Sequence, residues 1–467
     1  MGRLLEFVSV RWQRQLAPAA PTDVAMVRLL TLAGVALYYQ RWFSLPAWGE
    51  VSDALWLPIS FFRWLGLGPA SPSELRVVEL SWYASMTAGA LGLWQRVSLP
   101  LAAATSLLVL GYEGNFGKPY HHANLFVLLV WILAAARCAD ALSVDEWLRR
   151  RRGVQPAAHS PVYAWPLALG RLLFLLFYFE AGAHKLMASG LGWVTSRNVE
   201  LSIRLAETGT AEALVRRPLL IHVLAVVVLA LELGCITCVL WPRLSWIFVP
   251  GLFLMQLGFH YFMAEHFVPL LFCYALWVPW SRLLARIRRA WGVASSGDRP
   301  LRVQRAGKAR AVGVAAIALT CVCALQLLTR RDDWPFSSFP MYASTAGPQL
   351  VQDQLFIVDA AGVRSRAYRP ALEPFDDHRL SVALTQLSAH SPARLQRALD
   401  DMLLRQRRVA SGSGVALEFR RLTWNNVATA DLDHPDEDVL LARAEYDAAL
   451  RRSPGGSGER QFTEPMR

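Results

Sequence analysis

The chain has 467 residues, of which 54% are hydrophobic and 18% are charged, and its formal net charge is +12. Several apolar windows approach the ~20 residues that a helix needs to cross a bilayer, which excludes a small soluble domain and predicts a polytopic membrane protein. No base-stacking motif accompanies the basic residues, so the charge indicates membrane topology and not nucleic-acid binding.

The hydropathy pattern predicts an all-α membrane domain at 23–328. It follows an N-terminal segment, 1–22, that we expect to form a short amphipathic helix on the membrane surface. Residues 42–76 are expected to be interfacial and partly re-entrant, because Pro58 and Arg63 interrupt their apolar run. The predicted membrane helices lie at 24–40, 77–94, 98–111, 123–139, 162–185, 219–241, 244–263, 267–280 and 311–328.

The two most basic loops follow the fourth and the eighth predicted helix. Counted from a cytoplasmic N-terminus, both loops fall on the cytoplasmic side, as the positive-inside rule requires. The segment after the ninth helix is then extracytoplasmic. The charge distribution and the helix count therefore predict the same orientation.

The last part of the chain, 329–452, is predicted to be a small extracytoplasmic α+β domain. A hairpin is expected at 355–368, a helix at 392–408 and a strand at 415–424. Residues 334–342 are aromatic and rich in proline, which suits a segment lying along the membrane surface near the site. The tail at 453–467 is expected to be disordered.

An unusual group of ionisable residues ends the fifth predicted helix. At helical spacing Tyr178, Gly182 and Lys185 share one face, and Glu180 lies one turn below His184. Small residues between them allow another helix or a ligand to approach closely. Because ionisable groups at membrane depth are costly, the group indicates a functional site. The alternative is that Lys185 extends to the membrane surface with His184 as its neighbour.

Further polar residues are expected at the same outer face of the membrane domain. They are His121 and His122 before the fourth helix, and His260, Glu265 and His266 between the seventh and the eighth. A random distribution would seldom place every unusual polar residue near one face. The set therefore supports a site in which His121, Tyr178, His184 and His266 bind a substrate or cofactor.

A desolvated lysine loses its preference for the charged form, so some free amine exists near neutral pH. Lys185 is then a candidate general base for a weakly acidic hydroxyl such as that of a quinol. His122 or His260 is a candidate donor to the oxyanion, and Glu265 a group that orients either imidazole.

Other kinds of site fit the sequence less well. The histidine and glutamate pairs are adjacent and lack the i, i+4 spacing of two ligands on one helix face, so no metal site is predicted. Cys235 and Cys238 form a C-x-x-C motif without the βαβ context of a redox site. A transporter would need inverted repeats and broken helices, which the sequence does not indicate.

Four groups of segments stand out together: 178–186 (YFEAGAHKL), 121–125 (HHANL) with 139–145 (ADALSVD), 231–233 (LEL) with 241–243 (WPR), and 259–260 (FH) leading to Phe267. In residues and in chain order they resemble the vitamin K-dependent γ-glutamyl carboxylases and the related bacterial HTTM (horizontally transferred transmembrane) domain. The resemblance covers roughly residues 20 to 345. His184 stands where the family has the first lysine of a pair, and the residues from 187 to 193 depart from its pattern.

The resemblance implies a function of the lyase class. Lys185 would correspond to the base that deprotonates vitamin K hydroquinone, and His122 to a histidine that assists carboxylation. Oxygen addition to the quinol yields a stronger base, which removes a glutamate γ-proton, and the carbanion captures carbon dioxide. Reduced vitamin K or menaquinol, oxygen and carbon dioxide are thus the expected cofactor and co-substrates.

We therefore expect a carboxylase-like enzyme of the bacterial inner membrane, in contact with lipid and quinone and acting on an exported protein or peptide. The alternative is a non-enzymatic membrane module that binds quinone or lipid, or that scaffolds partner proteins in the same cavity.

Overall fold

The protein is mostly helical and carries one small antiparallel sheet. The computed structural model describes residues 2–154, 159–205, 211–265, 267–291, 309–340, 343, 349–410, 414–425 and 434–452. The chain divides into a membrane unit (1–43, 76–112 and 119–345) and a sheet unit (44–75, 113–118 and 346–467). The predicted tail at 453–467 lies outside the described residues.

Seventeen α-helices precede the sheet among the described residues. In chain order they are α1 (Gly2–Gln15), α2 (Pro21–Trp42), α3 (Leu45–Trp48), α4 (Ser60–Trp64), α5 (Pro72–Leu91), α6 (Gln95–Tyr112), α7 (Asn124–Ala135), α8 (Val144–Arg151), α9 (Pro161–Ser189), α10 (Gly192–Thr195), α11 (Asn198–Leu205), α12 (Ala211–Val215), α13 (Pro218–Gly234), α14 (Ser245–Met263), α15 (Val268–Cys273), α16 (Trp280–Ala290) and α17 (Ala309–Thr329).

Six helical segments of the described chain are long and apolar enough to cross a membrane. A seventh results if the pair Val268–Trp277 and Trp280–Ala290, bent by 76°, forms one span. The predicted count of nine is not confirmed, and the orientation that depended on it stays a prediction. The six segments are Pro21–Trp42, Gln95–Asn115, Pro161–Ser189, Pro218–Val239, Pro242–Met263 and Ala311–Thr329.

The predicted spans at 77–94 and 123–139 are not among these six segments, for different physical reasons. Helix α7 has 12 residues, which is about 18 Å at 1.5 Å per residue, against a hydrocarbon core of roughly 30 Å. Helix α5 is long enough, but its first two turns carry Glu74, Arg76 and Glu79. The hydropathy pattern averages over both features, so it predicted two spans that the structure does not confirm.

Helix α9 is the central helix of the membrane unit. Of its most apolar window, 78% is buried inside the protein, and it packs against α2, α7, α13 and α17. The Ser160 hydroxyl accepts a hydrogen bond from the amide of Val162, and Pro161 occupies the first helical position. The helix ends at Gly190, whose φ of +57° is left-handed.

The sheet unit is built on four antiparallel strands in the order β2-β1-β3-β4. Helices α18 and α19 pack on the sheet, with α18 against β1 and α19 against β3 and β4. The predicted hairpin is β1 with β2, and the predicted helix and strand are α19 and β3. The elements are β1 (Leu350–Val358), β2 (Arg364–Arg366), α18 (Asp377–His390), α19 (Pro392–Ala410), β3 (Ala416–Trp424), β4 (Glu437–Glu445) and α20 (Tyr446–Arg452).

Residues 44–75, for which we predicted an interfacial position, belong to the sheet unit. The ring of Trp48 packs against Phe116 and Phe375, with centroid distances of 5.0 and 5.2 Å. Arg394 of α19 donates a 2.6 Å hydrogen bond to the carbonyl oxygen of Trp56. Their aromatic composition, which resembles that of a membrane interface, thus provides part of the core of a folded unit.

A buried carboxylate makes the sheet unit sensitive to acid. Asp353 of β1 accepts two 2.8 Å hydrogen bonds from Arg421 and one of 2.7 Å from Thr385. Burial alone would raise the pKa of Asp353, but these hydrogen bonds outweigh burial and lower it below the usual range. A carboxylate whose pKa is lowered by folding stabilises the fold above its unfolded-state pKa, which is about 3.9.

That stabilisation is lost as the pH falls through the folded-state pKa of Asp353. We expect Asp353→Asn to be less stable than wild type at neutral pH and to lose less stability on acidification. The measurement is the unfolding midpoint of the full chain as a function of pH. Asp377→Asn is the control, because the Asp377 side chain is 74% exposed in its 3.3 Å pair with Arg369. Equal acid sensitivity of both variants would contradict the assignment.

Candidate ligand cavity

The membrane unit contains a cavity of about 490 Å³, lined by residues of α9 to α14 and by Phe267. Most of its lining side chains are aliphatic or aromatic, and Tyr178, Lys185, Glu232 and Gln256 are among the few polar ones. Ligand pockets of about 300–1,000 Å³ with a few polar groups on apolar walls are typical of small-molecule sites. The cavity therefore has the size and composition of a site for an apolar ring with polar substituents.

A buried ion pair lies on the wall of this cavity. The Nζ atom of Lys185 is 2.6 and 2.8 Å from the two carboxylate oxygens of Glu232 on α13. The two side chains are 4% and 3% exposed. The Lys185 Nζ also lies 5.3 Å from the centroid of the Trp193 ring, a cation–π distance. Each charge thus has the partner that burial requires.

A glycine allows the two helices that carry this pair to approach closely. A Cβ atom placed on Gly182 would lie 2.8 Å from the Cβ of Glu232 and 3.2 Å from the side chain of Leu233. The small residue was predicted to permit such an approach, and the structure confirms it. The α9–α13 packing therefore depends on the absence of a side chain at Gly182.

A second polar group on the cavity wall is a hydrogen-bonded network of three side chains. The amide nitrogen of Gln256 donates a 3.0 Å hydrogen bond to the hydroxyl of Tyr178. The hydroxyls of Tyr178 and Tyr274 are 2.8 Å apart. Both Tyr178 and Gln256 are buried. The network holds the Gln256 amide in one place on the wall.

The structure brings together only part of the predicted site. Tyr178 and Lys185 both line the cavity. The imidazole of His184 instead lies against the segment after α17, with Nδ1 3.0 Å from the carbonyl oxygen of Ser338. Nε2 of His121 is 3.2 Å from a carboxylate oxygen of Asp332 in the same segment. These two histidines hold the chain that follows the last helix of the membrane unit.

Three other predicted residues do not line the cavity. His122 lies in the short helical turn just before α7, and its Nε2 is 3.0 Å from the Tyr39 hydroxyl. His260 is exposed near the end of α14, and Glu265 is half-buried. The roles we predicted for these residues toward Lys185 stay predictions. His266 lies outside the described residues.

Sequence reasoning missed Glu232, Gln256 and Trp193 as site residues. Glu232 had a signal, because it is the one acidic residue in the apolar helix α13 and a charge at membrane depth indicates a site. Gln256 and Trp193 had none that separates them from ordinary packing residues. Which side chains meet across helices depends on register, which a single sequence does not specify.

Metal and thiol chemistry find no support in the part of the chain that the structure describes. No group of three histidine, cysteine, aspartate or glutamate residues there is placed to hold a metal ion. Cys235 and Cys238 are buried free thiols outside the cavity lining. The Lys185–Glu232 pair is therefore the strongest candidate for chemistry.

The fold is that of a helical protein with several helices apolar enough to span a membrane. Its candidate site is a largely apolar cavity with a buried ion pair on the wall. Comparison with protein families, curated proteins and solved structures finds no match to this chain. The likeness to the carboxylase and HTTM family thus depends on the motif residues alone.

Proposed function

We propose that this protein is a membrane-embedded, carboxylase-like enzyme that binds a reduced quinone in the cavity and uses Lys185 to deprotonate it. The observation that carries the proposal is the ion pair of Lys185 and Glu232 on the wall of an apolar cavity of about 490 Å³. The motif resemblance supports the same lysine. Reaction with oxygen and carbon dioxide, and an exported protein or peptide as acceptor, are the parts of the proposal that depend on the resemblance alone.

The residues of the cavity fit a quinol such as reduced vitamin K or menaquinol. Apolar walls suit the fused ring and its hydrocarbon tail, and Trp193 offers an aromatic face. Lys185 and Glu232 offer a donor and an acceptor to one hydroxyl. A quinol that reacts with oxygen supplies a base strong enough to remove a proton from carbon.

The ion pair gives Lys185 a route to its neutral form. The Glu232 carboxylate oxygens lie 2.6 and 2.8 Å from the Lys185 Nζ, so the carboxylate can take the ammonium proton directly. Transfer of the ammonium proton to Glu232 leaves a free amine without moving net charge through the bilayer. That amine accepts a proton from a hydroxyl within about 3 Å, as general base catalysis requires. Glu232 is then a proton acceptor and Lys185 the base.

The second candidate is a non-enzymatic module that holds quinone or lipid, or that scaffolds partner proteins. It is favoured by the same pair, because Glu232 neutralises Lys185 in the structure and the two charges satisfy one another. The apolar walls would serve binding without chemistry. Turnover of a quinol distinguishes the two candidates, because only the enzyme would convert it.

The test is anaerobic addition of reduced menaquinone or reduced vitamin K to the purified protein in detergent, followed by oxygen, with the quinone epoxide measured by chromatography. We expect epoxide from wild type and at least ~100-fold less from Lys185→Met, the usual effect of losing a general base. Lys118→Met, in the sheet unit, is the matched control and should keep wild-type turnover. Wild type that yields no epoxide with either quinol would overturn the enzyme proposal in favour of the binding module.

A further inference from the structure

The cavity wall carries a buried acceptor that has no hydrogen-bond partner in the protein. The Oε1 atom of Gln256 makes no hydrogen bond, although the residue is only 6% exposed and lines the cavity. Its Nε2 donates a 3.0 Å hydrogen bond to the Tyr178 hydroxyl. Buried polar atoms nearly always have a partner, so an unsatisfied one on a cavity wall indicates a ligand group.

The neighbouring side chains determine what that ligand group must be. Tyr178 is held between Gln256 and Tyr274, and the hydrogen bond from Nε2 directs the amide oxygen away from Tyr178. An amide oxygen accepts hydrogen bonds and cannot donate them. The group that satisfies it must be a donor such as a hydroxyl, whereas a carbonyl oxygen at the same place would face it as a second acceptor.

The spacing along α9 relates this acceptor to the ion pair. Tyr178 and Lys185 are seven residues apart on one face, which is about 10.5 Å along the helix axis. An aromatic ring with oxygens at opposite ends, plus one hydrogen bond of about 2.8 Å at each end, spans a comparable length. The Gln256 amide is bonded to Tyr178 at one end of this rise, and Lys185 lies at the other end. A ring whose first hydroxyl meets Lys185 can therefore direct its second hydroxyl toward Gln256.

We infer that Gln256 is a specificity-determining residue, whose amide oxygen accepts a hydrogen bond from the second hydroxyl of the bound ring and so selects the reduced, dihydroxy form over the oxidised, dicarbonyl form. The inference rests on the proposed function, since it takes the quinol as the ligand. Oxidation turns the donor at this position into an acceptor and leaves two buried acceptors facing one another. Sites with a polar group matched to a substrate hydroxyl reject analogues that lack it.

The experiment compares binding of reduced and oxidised vitamin K to the full chain in lipid nanodiscs under anaerobic conditions. Ligand retained by protein-free nanodiscs is subtracted. We expect wild type to bind the reduced form at least ~10-fold more tightly, the effect of about one hydrogen bond to a buried group. Gln256→Leu should lose most of that preference by weakening the reduced form, with the oxidised form little changed.

Three further variants keep the test decisive. Tyr178→Phe removes the hydroxyl that orients the amide and should reduce the preference only in part. Gln326→Leu is the matched control, because Gln326 also has an unpartnered Oε1 but lies on α17 and does not line the cavity. It should keep the wild-type preference. Gln256→Met replaces Gln256→Leu if the leucine variant does not fold.

The outcomes distinguish this inference from the proposed function. Equal binding of both forms by wild type, or an unchanged preference in Gln256→Leu, would overturn the role of Gln256 while leaving the Lys185 proposal intact if epoxide is still formed. If neither the reduced nor the oxidised form binds wild type, both this inference and the proposed function are overturned. A wild type that prefers the oxidised form would show that the amide presents its nitrogen to the ligand, which also overturns the inference.

Discussion

Replacing Glu232 by leucine is expected to lower the free energy of unfolding by about 3–5 kcal/mol, because it leaves the Lys185 ammonium buried without a counter-charge. The Lys185 side chain is 4% exposed, so the ammonium has little access to water. Lys185→Met should be destabilising by a comparable amount, since it leaves the carboxylate alone. The measurement is denaturant unfolding of each variant in mixed micelles.

The double variant Lys185→Met, Glu232→Leu is expected to recover most of the lost stability. Apolar side chains of similar volume replace a buried ion pair at little or no cost, because the desolvation penalty of both charges disappears with them. The coupling energy of this cycle should be several kcal/mol. The same cycle on Arg369 and Asp377, a pair 69% and 74% exposed, should give about 0–1 kcal/mol.

This cycle also separates stability from function. A double variant that folds as well as wild type but forms no epoxide would show that the pair serves chemistry. If the double variant were as unstable as either single variant, the two charges would not be a pair in the folded protein. The cavity geometry that supports the proposed function would then be contradicted.

Local patterns predicted several elements in each of the two units. An apolar window predicted α9, and a serine followed by a proline at the first helical position predicted α19; the bounds of both helices agree with the prediction to within a few residues. These signals work because they depend on neighbours in the sequence. The hairpin of β1 and β2 was predicted for the same reason, from its turn residues at 359–362.

The packing of one helix against another could not be predicted from such local patterns. Lys185 was predicted to be a site residue, but its partner Glu232 is 47 positions away and meets it only because α9 and α13 pack in one register. Gln256 reaches Tyr178 across 78 positions. Periodicity shows which face of a helix is apolar, and it does not show which residue of another helix lies opposite.

Gly182 has no Cβ atom, and this allows α9 and α13 to pack closely where Lys185 meets Glu232. Gly182→Leu is therefore expected to lower both the free energy of unfolding and the rate of epoxide formation. The new Cβ would lie 2.8 Å from the Cβ of Glu232. Since that atom is fixed to the backbone of α13, no change of rotamer relieves the contact and the helices must separate. Overpacking of this kind costs typically about 1–3 kcal/mol, and separation also lengthens the Lys185–Glu232 pair. Unfolding in mixed micelles and epoxide formation measure the two effects.

Gly313→Leu is the matched control for this substitution. Gly313 lies on α17, and a Cβ placed there meets no atom within 4 Å. Leucine has the higher helix propensity, so this variant should be as stable as wild type or more stable by up to about 1 kcal/mol, with unchanged turnover. If Gly182→Leu behaved like Gly313→Leu, α9 and α13 would not be in close contact at Gly182. The Lys185–Glu232 distances would then not describe the folded protein, because they require that approach of the two helices.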